Sequence, residues 1–244
     1  KTVAFFSNIP KRRHVLIQDL ATIGIPPSLY QHVITSGEEA FYALKHRQDP
    51  FYAKLGQRCY VIGSSASLSL LEGLNVRCVK FLDDADFILA LGPDDWHSDL
   101  DFYKKTLEQA HELKLPMVCA SPDLYVKYQG EKSIRAGALA QYYSELGGVV
   151  ASHGKPYATF YKSLLKDLHP FQKSDVLILG DSYLTDIQGA VNMGMHSLLC
   201  MTDTTSIDLR MTTQEFQTSS FEKLEKRIRS LGVSPTYIMK KLCW

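Results

Sequence analysis

No cysteine pair at metal-ligand spacing occurs in this chain. Its five cysteines, Cys59, Cys78, Cys119, Cys200 and Cys243, lie far apart in sequence, with no C-x-x-C and no Cys/His cluster. That excludes a zinc site of the finger or ribbon type. The odd count, with Cys59, Cys119 and Cys200 inside apolar runs, reads as reduced thiols packed as small hydrophobes, hence a reducing compartment, the cytoplasm. Long apolar runs are missing too. None approaches the roughly 20 residues a membrane helix needs, and the opening KTVAFFSN reads as a strand rather than a secretion signal. Nor is there an excess of one charge. With 27 Lys and Arg against 26 Asp and Glu, the net charge is +1. Nothing in that balance suits a nucleic acid or another polyanion. The basic stretch KLEKRIRS (223–230) reads as the solvated face of a late helix. Internal repeats, low-complexity segments and the G-x-G-x-x-G of dinucleotide-binding turns are likewise absent. VIGSSASLSLLEG opens on Gly63, and its next glycine is Gly73.

What is present is alternation. Short apolar runs stand at 2–6, 32–35, 59–63, 86–91, 116–120, 148–152, 176–180 and 197–201, most of them apolar on both faces. Strands covered by helices on both sides look like this. Between them lie helical patterns. In 98–114, Leu100, Tyr103, Leu107 and Ala110 recur at spacings of three and four; in 156–168, Phe160, Leu164 and Leu168 make one face, with Pro156 suited to the first helical position. Repeated strand–helix–strand units predict an α/β fold with a Rossmann-like parallel sheet.

In such sheets ligands collect beyond the carboxyl ends of the strands. Three exits carry chemistry: Ser7-Asn8 after VAFF, His153-Gly154-Lys155-Pro156 after VVAS, and Gly180-Asp181-Ser182 after VLIL. A hydroxyl, an amide, a fixed cation and a hard carboxylate together suit a phosphate group. Lys155 supplies positive charge. Asp181 is an oxygen ligand for Mg²⁺, which keeps several waters and takes one or two protein carboxylates. Asp186, five residues on, is placed to cap the following helix, to bond the loop or to orient Lys155. Each residue also has a plain structural use. Asp186 would be a helix-start acid, Gly180-Asp181 a turn, Ser7-Asn8 a cap and Lys155 a surface lysine.

FFSN, HGKP and GDSYLTDI, in that order, resemble motifs two, three and four of the haloacid dehalogenase-like hydrolases, nearest to the class IIA branch, mostly phosphatases. VITSGEEA (33–40), CASPDLYV (119–126, with Ser121 where the branch has Asn), RAGALAQYY (135–143) and the ending GVSPTYIMKKLCW extend the likeness along nearly the whole chain. The resemblance implies a core of 1–58 and 150–244 with an inserted C2-type cap at 59–149. It implies catalytic roles for Ser7, Lys155 and Asp186, Mg²⁺ on Asp181, and phosphoryl binding by Ser7, Asn8 and Lys155. Asp123, Tyr125 and Arg135 are the cap residues expected to face a small phosphorylated metabolite. No membrane or nucleic-acid partner is implied, and a cap-to-cap homodimer is. The branch's first motif, D-x-D, carries the aspartate nucleophile and the general acid. Asp84-x-Asp86 precedes its strand instead of following it and comes too late in the chain to serve. A further segment of roughly 20–40 residues ahead of Lys1, enough for a strand and a crossover, is therefore expected. The alternative is a protein that binds phosphorylated ligands without hydrolysing them. One other departure concerns the rim: 201–210, MTDTTSIDLR, lacks the glycine turn usual there.

Overall fold

Each of the eight apolar runs overlaps a strand in the computed structural model, which describes residues 1–128 and 131–240. In chain order the strands are β1 (Ala4–Ser7), β2 (His32–Thr35), β3 (Arg58–Ile62), β4 (Arg77–Val79), β5 (Phe87–Ala90), β6 (Met117–Cys119), β7 (Tyr125–Tyr128), β8 (Glu131–Ile134), β9 (Val150–Ser152), β10 (Leu177–Gly180), β11 (His196–Cys200) and β12 (Tyr237–Met239). The helices are α1 (Arg13–Thr22), α2 (Ser36–His46), α3 (Pro50–Ala53), α4 (Leu100–Glu112), α5 (Ala136–Glu145), α6 (Ala158–Asp167), α7 (Gln188–Asn192), α8 (Asp203–Asp208), α9 (Thr213–Thr218) and α10 (Phe221–Arg229). Two compact units divide the chain, Lys1–Gly154 and Lys155–Trp244.

The first unit is built on a parallel sheet of order β4-β3-β5-β6-β9. Its strands are apolar on both sides because both sides are covered. Phe87, Leu89 and Val118 pack with Ala40 and Leu44 of α2 and with Tyr52, whereas Ile88, Ala90 and Met117 pack with Leu107 of α4 and Leu139 and Tyr143 of α5. Burying each such side chain contributes about 1.5–3 kcal/mol. Helix α4 starts where Asp99 accepts the Phe102 N–H, and its buried stripe is Tyr103, Leu107 and Ala110, as the spacing predicts. The span 59–149 expected for the inserted domain stops one residue short of β9, which the register Met117↔Val150 ties to this same sheet. Separate from it are the parallel pair β1–β2, packed on Leu16 and Leu20 of α1, and the antiparallel hairpin β7–β8.

Two of the cysteines meet in space. Cys59 and Cys78, 19 positions apart in sequence, are direct neighbours in the β3–β4 ladder. Cys78 is exposed and Cys59, Cys119 and Cys200 are buried; Cys243 lies outside the described residues.

The second unit is the parallel sheet β10-β11-β12 with α6 to α10. Its core joins Tyr183, Ile187, Leu199, Leu209, Leu224 and Ile228. In α10 the basic residues face water and Leu224 and Ile228 face inward, as read from the sequence. Pro156 does not open a helix. The chain turns at Gly154–Pro156, Tyr157 is the N-cap, and α6 begins at Ala158. Among the described residues β10 pairs only with β11, and its Leu177 and Leu179 are 48% and 50% exposed. No helix among the described residues is long and apolar enough to cross a membrane.

Candidate active site

Ser7 and Asn8 leave β1 in the first unit, and helix α2 holds their loop. Thr35 accepts the Glu38 N–H as N-cap, and its hydroxyl donates to the Lys11 carbonyl at 2.7 Å. Ser36 donates to the Ile9 carbonyl at 3.1 Å. Glu38 accepts from Arg12 Nε at 2.8 Å and from the Arg13 N–H at 2.9 Å. Burial works to raise the Glu38 carboxyl, but the Arg12 and Arg13 bonds outweigh it and hold it below the usual range. Ser7 Oγ accepts the Ile9 N–H at 3.2 Å, and Asn8, only 5% exposed, donates from Nδ2 to Asp123 Oδ1 at 2.7 Å. Asp123 is thus brought to motif two.

The other two suspected cap residues sit on different partners. The Arg135 guanidinium lies 4.2 Å over the Trp96 ring, and Lys132 Nζ lies 3.4 Å over the Tyr125 ring. Burial lowers the Arg135 pKa, with the Asp123 charge opposing. Ahead of Lys155, Gly154 takes φ +114°, and a Cβ there would collide with Asn8 Oδ1. Its N–H donates to Glu39 Oε2 at 3.1 Å. His153 Nε2 meets the Tyr52 hydroxyl at 2.5 Å, and its Nδ1 lies 3.3 Å from Glu39 Oε2. Thr35, Ser36, Glu38, Glu39 and Tyr52 support these loops, and the sequence reading missed them. Hydroxyls and acids at a helix start look like ordinary caps, and nothing local shows that they reach β1's exit.

Asp86 is accounted for as a structural acid. Its carboxylate takes Arg58 Nη2 at 2.7 Å and the Arg58 N–H at 2.8 Å.

The second unit holds Lys155, Asp181 and Asp186. Gly180 ends β10, and the chain then makes a wide π-turn, Tyr183–Ile187, before α7. Asp186 therefore sits inside this turn and not at the start of a regular helix. The turn folds its carboxylate back toward the strand end. Oδ2 accepts the Ser182 N–H at 3.2 Å and Oδ1 accepts Lys155 Nζ at 2.7 Å. Gly180 is required here, because a Cβ on it would collide with that carboxyl group. Lys155 and Asp186 are 9% and 6% exposed, so the pair is enclosed. The Tyr161 hydroxyl donates to the Asp186 carbonyl at 3.1 Å and buttresses the turn. Of the uses open to Asp186, two hold together: it bonds the loop and it orients Lys155.

Asp181, the next residue after Gly180, is half-buried, and its Oδ2 accepts the Thr202 hydroxyl at 2.6 Å. The described residues contain no cluster of three or more His, Cys, Asp or Glu able to hold a metal. That donor set does not make a closed all-protein cage. It fits a hard cation such as Mg²⁺, which takes one or two carboxylates and fills its remaining positions with water and substrate oxygens. Nearby, Asp208 Oδ2 accepts the Ser182 hydroxyl at 2.8 Å and the Leu184 N–H at 3.2 Å. Burial pushes the Asp208 carboxyl above its ordinary range, against these hydrogen bonds, and the Asp181 charge adds to the push.

Residues 152–225 match the Hydrolase_like family model, which describes HAD-hydrolase-like proteins. Over 100 residues the chain is 32% identical to the pyrimidine 5'-nucleotidase PynA of Streptococcus pneumoniae; the match spans 38% of this chain and 42% of that protein. A crystal structure of a haloacid dehalogenase-like family hydrolase from Brucella suis superposes with a TM-score of 0.81 at 24% identity, covering 99% of this chain and 83% of that one. A possible sugar phosphatase of the HAD superfamily from Cytophaga hutchinsonii gives a TM-score of 0.69 at 17% identity, with 96% and 79% covered. These superpositions show the fold.

Proposed function

We propose that this chain, which carries the haloacid dehalogenase-like fold, belongs to a phosphomonoester hydrolase acting on a small phosphorylated metabolite with Mg²⁺ as cofactor. The observation that carries the reading is the enclosed Lys155–Asp186 pair, anchored on the N–H of the residue after Asp181. Keeping a lysine charged out of water costs several kcal/mol unless it is well paired. A phosphate dianion, which repels an anionic nucleophile, gives that cation a use beyond packing. Lys155 would neutralise phosphoryl oxygens, and Asp186 would hold its ammonium in place. Bound at Asp181, Mg²⁺ would draw charge from the phosphoryl oxygens and help to orient the group. Ser7 and Asn8 are assigned to the phosphoryl group by the motif they match, and Asp123 and Arg135 to the choice of leaving group.

A phosphoaspartate route also needs an attacking carboxylate. Asp186 is committed to Lys155, and Asp208 to Ser182 and Leu184. In the family this chain resembles, that role falls to the first aspartate of the D-x-D motif. The described thiols, all free, agree with a cytoplasmic protein. A homodimer through the inserted sheet is assigned on the resemblance alone, and sedimentation of the full-length protein tests it.

The test of the function is inorganic phosphate release by the full-length protein from a panel of nucleoside monophosphates, sugar phosphates, glycerol phosphate and pyridoxal phosphate, with Mg²⁺ present. Saturable release from at least one is expected. Tight binding of a phosphorylated compound with no release from any would overturn hydrolysis in favour of ligand binding.

A further inference from the structure

The glycine-free rim 201–210 has a use that its sequence does not disclose. Thr202, Thr205 and Asp208 stand three residues apart, so they share one side of α8 and its N-cap. All three bond the Asp181–Leu184 segment. Thr202 donates to the Asp181 carboxylate at 2.6 Å, Thr205 donates to the Asp181 carbonyl at 2.7 Å, and Asp208 accepts from Ser182 and Leu184. The helix cap commits the hydroxyl protons to this arrangement. Thr202 Oγ1 accepts the Thr204 N–H at 3.1 Å, and Thr205 Oγ1 accepts the Thr202 N–H at 3.1 Å. Each hydroxyl has one proton. With its oxygen receiving from the helix, that proton points at Asp181 in both cases. Thr202 thereby engages Oδ2 of the carboxylate, and Thr205 holds the carbonyl of the same residue.

We infer that the Thr202–Thr205–Asp208 side of α8 is the positioning device for Asp181, setting the orientation of its carboxylate and with it the affinity for a divalent cation. The inference rests on the reading of Asp181 as a metal ligand. None of the three residues touches substrate in this assignment; they act through Asp181. Groups that orient a metal ligand in this way typically cost 10–100-fold in metal affinity when removed.

The test is Mn²⁺ binding to the full-length protein, followed by loss of the free-ion electron paramagnetic resonance signal, with no substrate present. Wild type is expected to bind, Asp181→Asn to lose binding, and Thr202→Val to bind about 10-fold more weakly. Thr202→Ser, which keeps the hydroxyl, should restore affinity to within about threefold of wild type. Should Thr202→Val fail to fold, Ser182→Ala replaces it. That change removes the hydroxyl bond to Asp208 from a half-buried position and should weaken Mn²⁺ binding about threefold. Wild-type affinity in Thr202→Val, or in Ser182→Ala where that variant stands in, overturns the inference and leaves the metal reading intact. Absence of Mn²⁺ binding in wild type overturns both.

Discussion

Asp186→Ala should cost the protein a large share of its stability. The substitution removes the carboxylate that accepts from the Lys155 ammonium, a group 9% exposed, and takes the acceptor from the Ser182 N–H. Breaking a buried pair by deleting one partner costs about 3–5 kcal/mol, and an N–H stripped of its acceptor costs about 1–3 kcal/mol. The two overlap, because Lys155 can swing toward water once released, so we take about 3–5 kcal/mol for the whole. Set against a typical stability of about 5–15 kcal/mol, that is roughly a fifth of the total at the least. With an m-value near 2 kcal/mol/M, the urea midpoint should fall by about 1.5–2.5 M with the slope unchanged. Hydrogen exchange over 181–189 should rise in parallel, since the π-turn closes on that carboxylate. The double variant Lys155→Met with Asp186→Leu is the control. Replacing both charges by apolar groups leaves no uncompensated charge, with the Ser182 N–H still short of its acceptor, and it should recover most of the loss. A midpoint shift below about 0.5 M for Asp186→Ala would place the pair among screened surface pairs, worth about 0–1 kcal/mol, and would refute the argument that it is enclosed.

Three further outcomes follow from the first unit. Glu38 has its folded pKa lowered, so its contribution to stability is present above the unfolded carboxylate range and is lost as pH falls through the folded value. Glu38→Gln should therefore flatten the acid limb of a stability–pH profile, and an unchanged limb would contradict this. Gly154→Ala combines φ +114° with a collision at Asn8, and a loss of about 1–3 kcal/mol in urea unfolding is expected, against none if the loop is free to shift. Burial pushes the Cys59 and Cys119 thiols up to about 12. Alkylation at pH 8 should thus modify exposed Cys78 before either, as read by peptide mass, and early labelling of Cys119 would show that its strand opens.

The strands were legible because both faces of the large sheet are covered, which forces near-continuous apolar runs such as Phe87–Ala90, where every residue is buried. The hairpin β7–β8 escaped the same reading because YVKY and EKSI carry charges and lie outside that sheet. Lys155, Asp181 and Asp186 were legible as a group because each stands within six residues of a strand exit, where this architecture puts ligand chemistry. The threonines on Asp181 were not. Their links span 21 and 24 positions and depend on the register Gly180↔Leu199, which brings the exits of β10 and β11 side by side. Only pairing in space makes neighbours of Asp181 and Thr202. The same holds for Glu38, whose role comes from the β1–β2 register, and for Cys59 and Cys78 across β3 and β4.

In the function proposed, Asp181 holds the cation that makes phosphate release possible. Its most direct test is the initial rate of phosphate release by the full-length protein, titrated with Mg²⁺ after chelation, for wild type and Asp181→Asn at equal folded content. The account predicts a saturable Mg²⁺ requirement in wild type, restored on adding the ion back, and at least a hundredfold loss in Asp181→Asn, about 2.7 kcal/mol of transition-state stabilisation. Release that persists without Mg²⁺, or an Asp181→Asn variant as fast as wild type, would contradict it.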